Sequence, residues 1–305
     1  MAASVAISGV DGFVGRHLAQ AFVDHGLAVH GLAGRPVPDG DPLRALLASV
    51  QTADLREGWP DAVVADYYVH LAGLAAVGPS FTQPDLYISN NTAVTTALGE
   101  HALTHGGGRL LLISSGSVYA PSSEPVSESS PVLVSSPYVV SKLATELQAE
   151  YYRGRGLDVV VARPFNHIGP GQREGFLVPD LAHKLAGLRP GDALAAGNLS
   201  TRRDYTDVRD VADAYVRLAT GSASRPVYNV ACGESVSGQR VLELIAEAMG
   251  VPTPEVASDA ALARPNDNPV VCGDAGALRE DTGWAPRYSL EASIEDFVAA
   301  SPLPR

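Results

Sequence analysis

The chain has 305 residues, enough for a large α/β unit with a smaller second lobe. Hydrophobic residues make up 46% of the sequence and charged residues 18%, as in ordinary globular proteins. The net charge of -12 argues against nucleic acid and membrane surfaces as general partners, because both are polyanions that would repel the chain. No apolar run approaches the roughly 20 residues that a membrane span needs.

The chain begins almost directly with an apolar run at residues 5–7, without a basic or long apolar leader, so we expect a cytoplasmic protein. Cys232 and Cys272 have no spacing typical of a metal or redox motif. We interpret both as small, buried, hydrophobic side chains in a reducing compartment, and we expect no metal.

The first half of the chain alternates short apolar runs with amphipathic stretches, the pattern of a parallel sheet with crossover helices. Strands are predicted at residues 5–8, 28–32, 65–71, 110–114 and 157–162, and helices at residues 15–25 and 137–153. This order predicts an α/β fold with a Rossmann-type doubly wound parallel sheet. Ligands of such folds bind at the carboxyl ends of the strands.

Later segments predict a smaller, discontinuous substrate domain. Residues 119–136, rich in Pro and Ser, and residues 166–175, rich in Gly, are predicted as functional loops without regular structure. Helices are predicted at residues 177–188 and 237–249, and a strand at residues 228–230. We therefore expect a dinucleotide-binding domain at residues 1–165, with a return segment at about 205–231, and a C-terminal substrate domain at residues 166–204 and 232–305.

A glycine turn between the first strand and the first helix predicts a dinucleotide site. Gly9, Gly12 and Gly15 stand at this turn, with Phe13 and Val14 between them. Glycines permit a tight turn and close approach of the backbone to a pyrophosphate, which the helix N-terminus attracts. The spacing is GxxGxxG and not the commoner GxGxxG, so the prediction rests on its position between strand and helix.

The end of the second strand indicates which dinucleotide binds. An NAD site usually has an acid there for the ribose 2′-hydroxyl. Here Arg35 follows the strand and no acid appears before Asp39, which favours NADP(H), while NAD(H) stays possible and Arg35 could instead be a solvated loop residue. Further cofactor contacts are predicted near the adenine and at the next strand end: Asp54, Leu55, Leu71, Ala72 and Gly73.

Tyr138 and Lys142 are four residues apart at the start of a predicted helix, so their side chains share one face. A nearby ammonium lowers the pKa of a tyrosine, which makes Tyr138 a proton donor or acceptor at a carbonyl oxygen. Ser115 follows a predicted strand and can hydrogen-bond the same oxygen. Alone, this spacing also describes an exposed helix face; together with the glycine turn it predicts a catalytic site.

Several motifs in the same order resemble the extended short-chain dehydrogenase/reductase family over nearly the whole chain. Besides the glycine turn they are residues 114–119, 136–142, 163–172, 203–208, 228–230 and 264–265. Within this family the chain most resembles the GDP-4-keto-6-deoxy-mannose reductases, through residues 163–172, 203–211, 264–267, 273–274 and 282–284.

This resemblance implies a role for each matching residue. Tyr138 would be the acid/base, Lys142 would lower its pKa and contact the ribose, and Ser115 would bind the carbonyl oxygen. Pro164 and His167 would lie near the nicotinamide. The implied contacts of a nucleotide-diphosphate sugar are Asn166, Arg203 and Arg264 at the diphosphate, Val178 beside the base, and Ser117.

One departure from the family pattern bears on the reaction. Family dehydratases have an acidic pair after the catalytic serine or threonine, where this chain has Gly116 and Ser117, so dehydration is disfavoured. The leading hypothesis is NAD(P)H-dependent reduction of the C4 ketone of a nucleotide 4-keto-6-deoxyhexose. The alternatives are a nucleotide-sugar 4-epimerase with tightly bound NAD and a non-catalytic cofactor-sensing protein.

The resemblance also implies a homodimer, formed through helices at residues 94–103 and 143–152. The apolar faces of these helices could equally pack on their own sheet.

Overall fold

The structure is a computed structural model that describes residues 2–106, 108–189, 191–259 and 268–303. The strands within these ranges are β1 (Ser4–Ser8), β2 (Ala28–Ala33), β3 (Ser49–Thr52), β4 (Tyr67–His70), β5 (Arg109–Ile113), β6 (Val159–Pro164), β7 (Asn166–Ile168), β8 (Leu194–Ala196), β9 (Arg202–Asp207), β10 (Val227–Val230), β11 (Ser235–Ser237), β12 (Val256–Ser258) and β13 (Val270–Val271). The helices are α1 (Phe13–Asp24), α2 (Val77–Ser80), α3 (Pro84–His105), α4 (Pro137–Gly154), α5 (Leu177–Ala186), α6 (Val208–Thr220), α7 (Gly238–Met249), α8 (Gly276–Thr282) and α9 (Leu290–Ala300). Short 3₁₀ turns cover Pro42–Leu46 and Gly116–Val118.

The central feature is a parallel sheet that, over the described residues, has seven strands in the order β3-β2-β1-β4-β5-β6-β10. The chain starts in the middle, runs outward to β3, returns past β1 to β4, and continues to β10. This is the doubly wound order, and it brings the carboxyl ends of all these strands to one edge. The predicted α/β fold of Rossmann type is confirmed.

Helices cover both faces of this sheet. Val5 and Ile7 belong to a buried cluster that includes residues of α1 and α6, whereas Ala6 belongs to a second cluster with residues of α3 and α4. Since successive side chains of a strand point to opposite faces, each cluster lies on its own side of the sheet. Such burial on both faces is what makes the strands read as nearly continuous apolar runs.

The other strands lie outside the central sheet. β9 pairs in parallel with β7 and β13 and antiparallel with β11, and β8 pairs with β12. Helices α5, α7 and α9 share a third buried cluster with these strands. These elements come from separate stretches of the chain, because α6 and β10 return to the central sheet between them.

The prediction of irregular structure at residues 166–175 is wrong at its start. Asn166–Ile168 forms β7 because it pairs with β9, a partner that lies far along the chain and that local patterning cannot reveal. The rest of the segment turns without regular structure, and Gly169, Gly171 and Gly175 all have positive φ angles there. The strand predictions in the first half of the chain agree with the structure to within a few residues.

The two helices proposed for a dimer pack together on the sheet through their inner faces. Val94, Leu98 and Ala149 are buried there. On the outer face of α4, Leu147 and Tyr151 are 67% and 56% exposed. Packing on the sheet therefore accounts for the inner faces, and a dimer through the outer faces stays a prediction.

None of the described helices combines the length and the apolar character that crossing a bilayer would require.

Candidate active site

The glycine turn lies between β1 and α1 at the carboxyl edge of the sheet. Gly9 has a φ of 73°, and its N–H donates to the Leu32 carbonyl at 2.8 Å. A Cβ on Gly9 would lie 3.0 Å from the Ala72 nitrogen, and one on Gly15 would lie 2.3 Å from the Gly9 carbonyl oxygen. Both positions therefore require glycine, one for the turn and one for close packing of helix against strand.

The start of α1 suits an anionic ligand. Gly12 is the N-cap, no side chain caps the helix, and its first turn carries no acid. The N–H groups of Phe13, Val14 and Gly15 are therefore left without a side-chain acceptor at the positive end of the helix dipole. With these N–H groups at the start of α1 and glycines in the turn before it, the residues fit the pyrophosphate of a dinucleotide.

Buried polar groups that the sequence analysis missed hold the neighbouring strand end. The Ser8 hydroxyl lies 2.7 Å from Nδ1 of His70 and accepts a hydrogen bond from the Ala72 N–H at 3.2 Å. Burial, together with the charge of Lys142, lowers the pKa of His70 to about 3, so the imidazole is neutral. These bonds place Leu71 and Ala72, two predicted cofactor contacts, beside the glycine turn.

Asn91 of α3 is a second positioning residue that the sequence analysis missed. Its side-chain oxygen accepts from the Leu74 N–H at 2.8 Å, and its amide donates to the Leu74 carbonyl at 3.1 Å and to Ser141 at 2.9 Å. A Cβ on Gly73 would lie 2.9 Å from that side-chain oxygen. Asn91 thus ties the loop after β4 to the helix that carries Tyr138. The available signal was an asparagine on the inner face of a helix.

The predicted catalytic residues meet at the carboxyl edge. The Ser136 hydroxyl caps α4 by accepting from the Val139 N–H at 3.2 Å, which places Tyr138 in the first turn and Lys142 one turn later. Ser115 follows β5, and its hydroxyl lies beside that of Tyr138. The Lys142 ammonium lies 5.8 Å from the centre of the Tyr138 ring.

The electrostatics of this trio differ from the prediction. Burial raises the pKa of Tyr138 above its ordinary value, against the opposing effect of Ser115. Any lowering of this pKa by Lys142, whose ammonium donates to the Ile113 carbonyl at 2.9 Å, does not outweigh burial. Burial also lowers the pKa of Lys142 to about 8. Tyr138 therefore holds its proton at neutral pH and is set up as an acid.

A tight contact disfavours any side chain larger than glycine at position 116, the first position after the catalytic serine. A Cβ on Gly116 would lie 3.0 Å from the Phe165 ring, and one on Gly273 would lie 2.5 Å from the same ring. Phe165 is thus held between two glycines, and its ring stacks on that of Tyr119 at 6.1 Å. A carboxylate at position 116 would collide with this ring, whereas Ser117 is exposed.

A buried ion pair fixes the segment that leads from Ser115 to Tyr138. Arg163 donates to Glu146 at 2.6 and 2.8 Å and to the Tyr119 hydroxyl at 2.9 Å. Tyr119 in turn donates to Asn229 of β10 at 2.6 Å, and Ser114 donates to Glu146 at 2.5 Å. The loop predicted at residues 119–136 is therefore anchored at its start to the central sheet.

The positions predicted to contact the adenosine half of the dinucleotide differ in whether they are exposed and whether other residues already bind their charged groups. Arg35 follows β2, is exposed, and forms no hydrogen bond or ion pair with any residue that the structure describes. The neighbouring Arg16 is instead held by Asp41 at 2.7 Å. Asp54 forms an ion pair with Arg56, and Leu55 is buried.

The segment after β6 lies against the glycine turn. The ring of His167 stacks on that of Phe13 at 6.1 Å, and His17 of α1 contacts the Pro170 carbonyl at 2.8 Å. Burial lowers the pKa of His167. Pro164, which ends β6, and His167 therefore lie close to the predicted dinucleotide site.

Two of the predicted substrate residues, Asn166 and Arg203, lie on strands of the second sheet, which consists of β7, β9, β11 and β13. Asn166 of β7 is exposed and pairs with Tyr205, two residues beyond Arg203 on β9. Arg203 donates to the carbonyls of Arg202 and Asn268, each at 2.8 Å. Val178 is only 1% exposed, so its predicted contact with a base could come from its main chain alone. Arg264 lies outside the described residues.

The two cysteines are more than the small hydrophobic side chains that the sequence predicts. The buried carboxylate of Asp204 lies 3.1 Å from the Cys232 sulfur and 3.8 Å from that of Cys272, and it accepts the N–H groups of Cys232 and Gly233 at 3.0 Å. Burial and this carboxylate raise the pKa of Cys232 to about 12 and that of Cys272 to about 11. Both thiols are therefore protonated donors to Asp204, and only Cys272 is fully buried.

A doubly wound sheet with a glycine turn and a serine–tyrosine–lysine trio at one edge defines a dinucleotide-dependent enzyme. A profile of the NAD dependent epimerase/dehydratase family matches residues 5–231. The chain belongs to this family, and the resemblance drawn from its sequence motifs is confirmed. It is therefore an NAD(P)-dependent enzyme by family.

Relatives within the family carry different activities. The GDP-6-deoxy-D-mannose reductase of Pseudomonas aeruginosa is 33% identical over 302 residues, covering 96% of this chain and 95% of the relative. The structure of RMD from Pseudomonas aeruginosa complexed with NADPH has a TM-score of 0.81 at 32% identity, covering 98% of each chain. The UDP-glucose 4-epimerase of Thermus thermophilus, complexed with NAD, has a TM-score of 0.82 at 28% identity, covering 97% of this chain and 98% of that one.

Proposed function

We propose that this protein reduces the C4 ketone of a nucleotide-activated 4-keto-6-deoxyhexose with hydride from NAD(P)H. The observation that carries the proposal is that Ser115, Tyr138 and Lys142 come together at the same edge as the glycine turn. Because burial keeps Tyr138 protonated, this residue is ready to give a proton to a carbonyl oxygen that gains negative charge.

Each residue of the catalytic trio has a separate role in the proposed reduction. Bound nicotinamide supplies hydride to the ketone carbon. Ser115 and Tyr138 hold the ketone oxygen by hydrogen bonds, and the Tyr138 hydroxyl gives up its proton as that oxygen becomes an alcohol. The Lys142 ammonium then stabilises the Tyr138 phenolate until a proton from solvent restores it.

Two features favour NADP(H) over NAD(H). Arg35 is an exposed cation just after β2, where a 2′-phosphate would lie. The first acid after this strand is Asp39. The similar RMD structure is a complex with NADPH. The remaining predicted cofactor contacts, at the glycine turn and the end of β4, would serve either dinucleotide.

The sugar nucleotide would bind across the second sheet. Asn166 and Arg203 are on neighbouring strands and would bind the diphosphate, together with Arg264. The absence of an acid at Gly116 and Ser117 argues against dehydration, and the tight contact of Gly116 with Phe165 disfavours a larger residue there.

A 4-epimerase with tightly bound NAD is the second candidate. It is favoured by the 31% identity to the UDP-glucose 4-epimerase of Azospirillum brasilense over 98% of this chain. An epimerase oxidises and then reduces its own substrate, so it consumes no NADPH. A non-catalytic sensor is disfavoured, because it would not need Ser115, Tyr138 and Lys142 together at one edge.

The test follows the near-ultraviolet absorbance of NADPH, and separately of NADH, with freshly made GDP-4-keto-6-deoxy-mannose and then with dTDP and UDP 4-keto sugars. We expect loss of absorbance that depends on the sugar and disappears in Tyr138→Phe. Interconversion of UDP-glucose and UDP-galactose without added cofactor, with NAD retained through purification, would instead establish the epimerase.

A further inference from the structure

The last turn of α3 carries two histidines that the catalytic site does not use. His101 and His105 are four residues apart, so they share one helix face, and their rings stack with centres 4.3 Å apart. Asp61, in the segment between β3 and β4, meets them there, with an oxygen 3.9 Å from Nε2 of His105. One ligand atom from each of the three residues lies within 4.8 Å of the others.

His101 is a buried imidazole without a hydrogen-bond partner. It is 5% exposed, and neither of its ring nitrogens forms a hydrogen bond within the described part of the chain. The rings of Trp59 and Tyr68 lie 5.9 Å from it. The Val63 carbonyl lies near enough to raise the pKa of His101, but it accepts its hydrogen bond from the indole N–H of Trp59 at 3.2 Å. Buried polar atoms rarely lack a partner, so we expect a ring nitrogen of His101 to bind a ligand.

His105 has the arrangement of a metal ligand. Its Nδ1 lies 3.1 Å from the His101 carbonyl, so Nδ1 carries the proton and donates there. Nε2 is left as an acceptor on the side of Asp61. Histidines that bind metals almost always have their other ring nitrogen fixed in this way. The C-terminus of a 22-residue helix adds partial negative charge, which favours a cation.

We propose that Asp61, His101 and His105 bind a divalent transition-metal ion, with Zn²⁺ as the preferred ion and water completing a tetrahedral shell. Two imidazoles and one carboxylate are a ligand set that suits Zn²⁺. Bonds of about 2.0–2.2 Å require the ligand atoms to move closer together than they are here. The Asp61 side chain is 91% exposed in a connecting segment and is free to make this movement.

This site is separate from the catalytic one. α3 starts at the carboxyl edge of the sheet and ends before β5, at the opposite edge, whereas Ser115 follows the other end of β5. A metal ion here would join the segment between β3 and β4 to α3 and stabilise the fold without taking part in the reaction. The proposal therefore does not depend on the proposed function.

The test uses the full chain without a histidine tag and adds Co²⁺ alone, then Zn²⁺ as a competitor. We expect one equivalent of Co²⁺ to give the intense visible bands of tetrahedral coordination, and Zn²⁺ to abolish them. Zn²⁺ should also raise the unfolding temperature by a few degrees, because it binds only the folded chain. His105→Ala and Asp61→Asn should each weaken binding by about 100-fold or more.

His25→Ala is the matched control. His25 also lies at the end of a helix, with Nδ1 2.8 Å from the carbonyl four residues earlier, but it is exposed and belongs to no such cluster in the described residues. It should bind Co²⁺ as the wild type does. Absence of the bands in wild type, or equal bands in His105→Ala, would overturn the proposal. Circular dichroism of both ligand variants separates loss of binding from loss of fold.

Discussion

The catalytic edge of the central sheet and the substrate face of the second sheet are built from different kinds of contact. At the edge, Ser115 and Tyr138 are buried, and their hydroxyls lie side by side. On the face, Asn166 is exposed and Arg203 donates to main-chain carbonyls; Ser117, two residues after the catalytic serine, is exposed as well. Buried groups that position one another cannot change singly without cost, whereas exposed groups on main-chain supports can. We therefore expect burial to fix the chemistry and accessible side chains to determine the choice of substrate.

The largest effect should come from the buried side of this comparison. Tyr138→Phe removes the proton donor and should lower kcat by about 10²–10⁴-fold in the NADPH assay. The ring stays in place, so NADPH binding and the unfolding temperature should change little. Activity within a few-fold of wild type would refute the catalytic assignment.

A smaller effect is expected from the substrate face. Arg203→Ala should raise KM for the nucleotide sugar by about 10–100-fold, the loss expected for a charged hydrogen bond to phosphate. The effect on kcat should be smaller, because this contact forms in the ground state as well. Arg202→Ala, one residue earlier on β9, is the control and should leave KM unchanged. A loss confined to kcat would place Arg203 with the catalytic edge.

The pH dependence tests whether burial controls the chemistry. Since burial lowers the pKa of Lys142 to about 8, kcat/KM should fall about tenfold per unit as pH rises above that value. Stability should not fall with it. The unfolded chain keeps this lysine protonated to about pH 10, so it binds more protons than the folded chain between pH 8 and 10, and stability from this group rises with pH.

Lys142→Arg keeps a positive charge at every pH used. Its kcat/KM should therefore no longer fall above pH 8, even if the variant is slower than wild type. The measurement is kcat/KM from pH 6 to 10 for both proteins, with unfolding temperatures at each pH. An unchanged fall above pH 8 in the variant would assign the titration to another group.

The smallest effect is expected at Ser117. It is exposed beside the catalytic serine, so Ser117→Ala should remove one solvated hydrogen bond and raise KM by about 2–10-fold. The same assay gives both constants. A larger rise in KM, or a fall in kcat, would show that exposure does not distinguish the substrate-binding residues from the catalytic edge.

The sequence predicts the catalytic edge far better than the substrate face. Gly9, Ser115 and Tyr138 are recognisable because their roles depend on local turns, strand ends and helix spacing. The pairing of β7 with β9 depends on a partner far along the chain. Partners such as Ser8 with His70 become visible only when strands lie side by side. The same holds for the raised pKa of Tyr138, which depends on burial and not on its neighbours in sequence.

The Phe165 ring is packed between Gly116 and Gly273. This packing determines which substitution would have to be made first if the activity were changed in the laboratory. Placing an aspartate at position 116, to equip the site for eliminating water, would push against this ring, because the new Cβ would lie 3.0 Å from it. Trimming Phe165 to a smaller residue first would open the space for that carboxylate. A laboratory route from reduction to elimination therefore passes through a residue that carries no chemistry of its own.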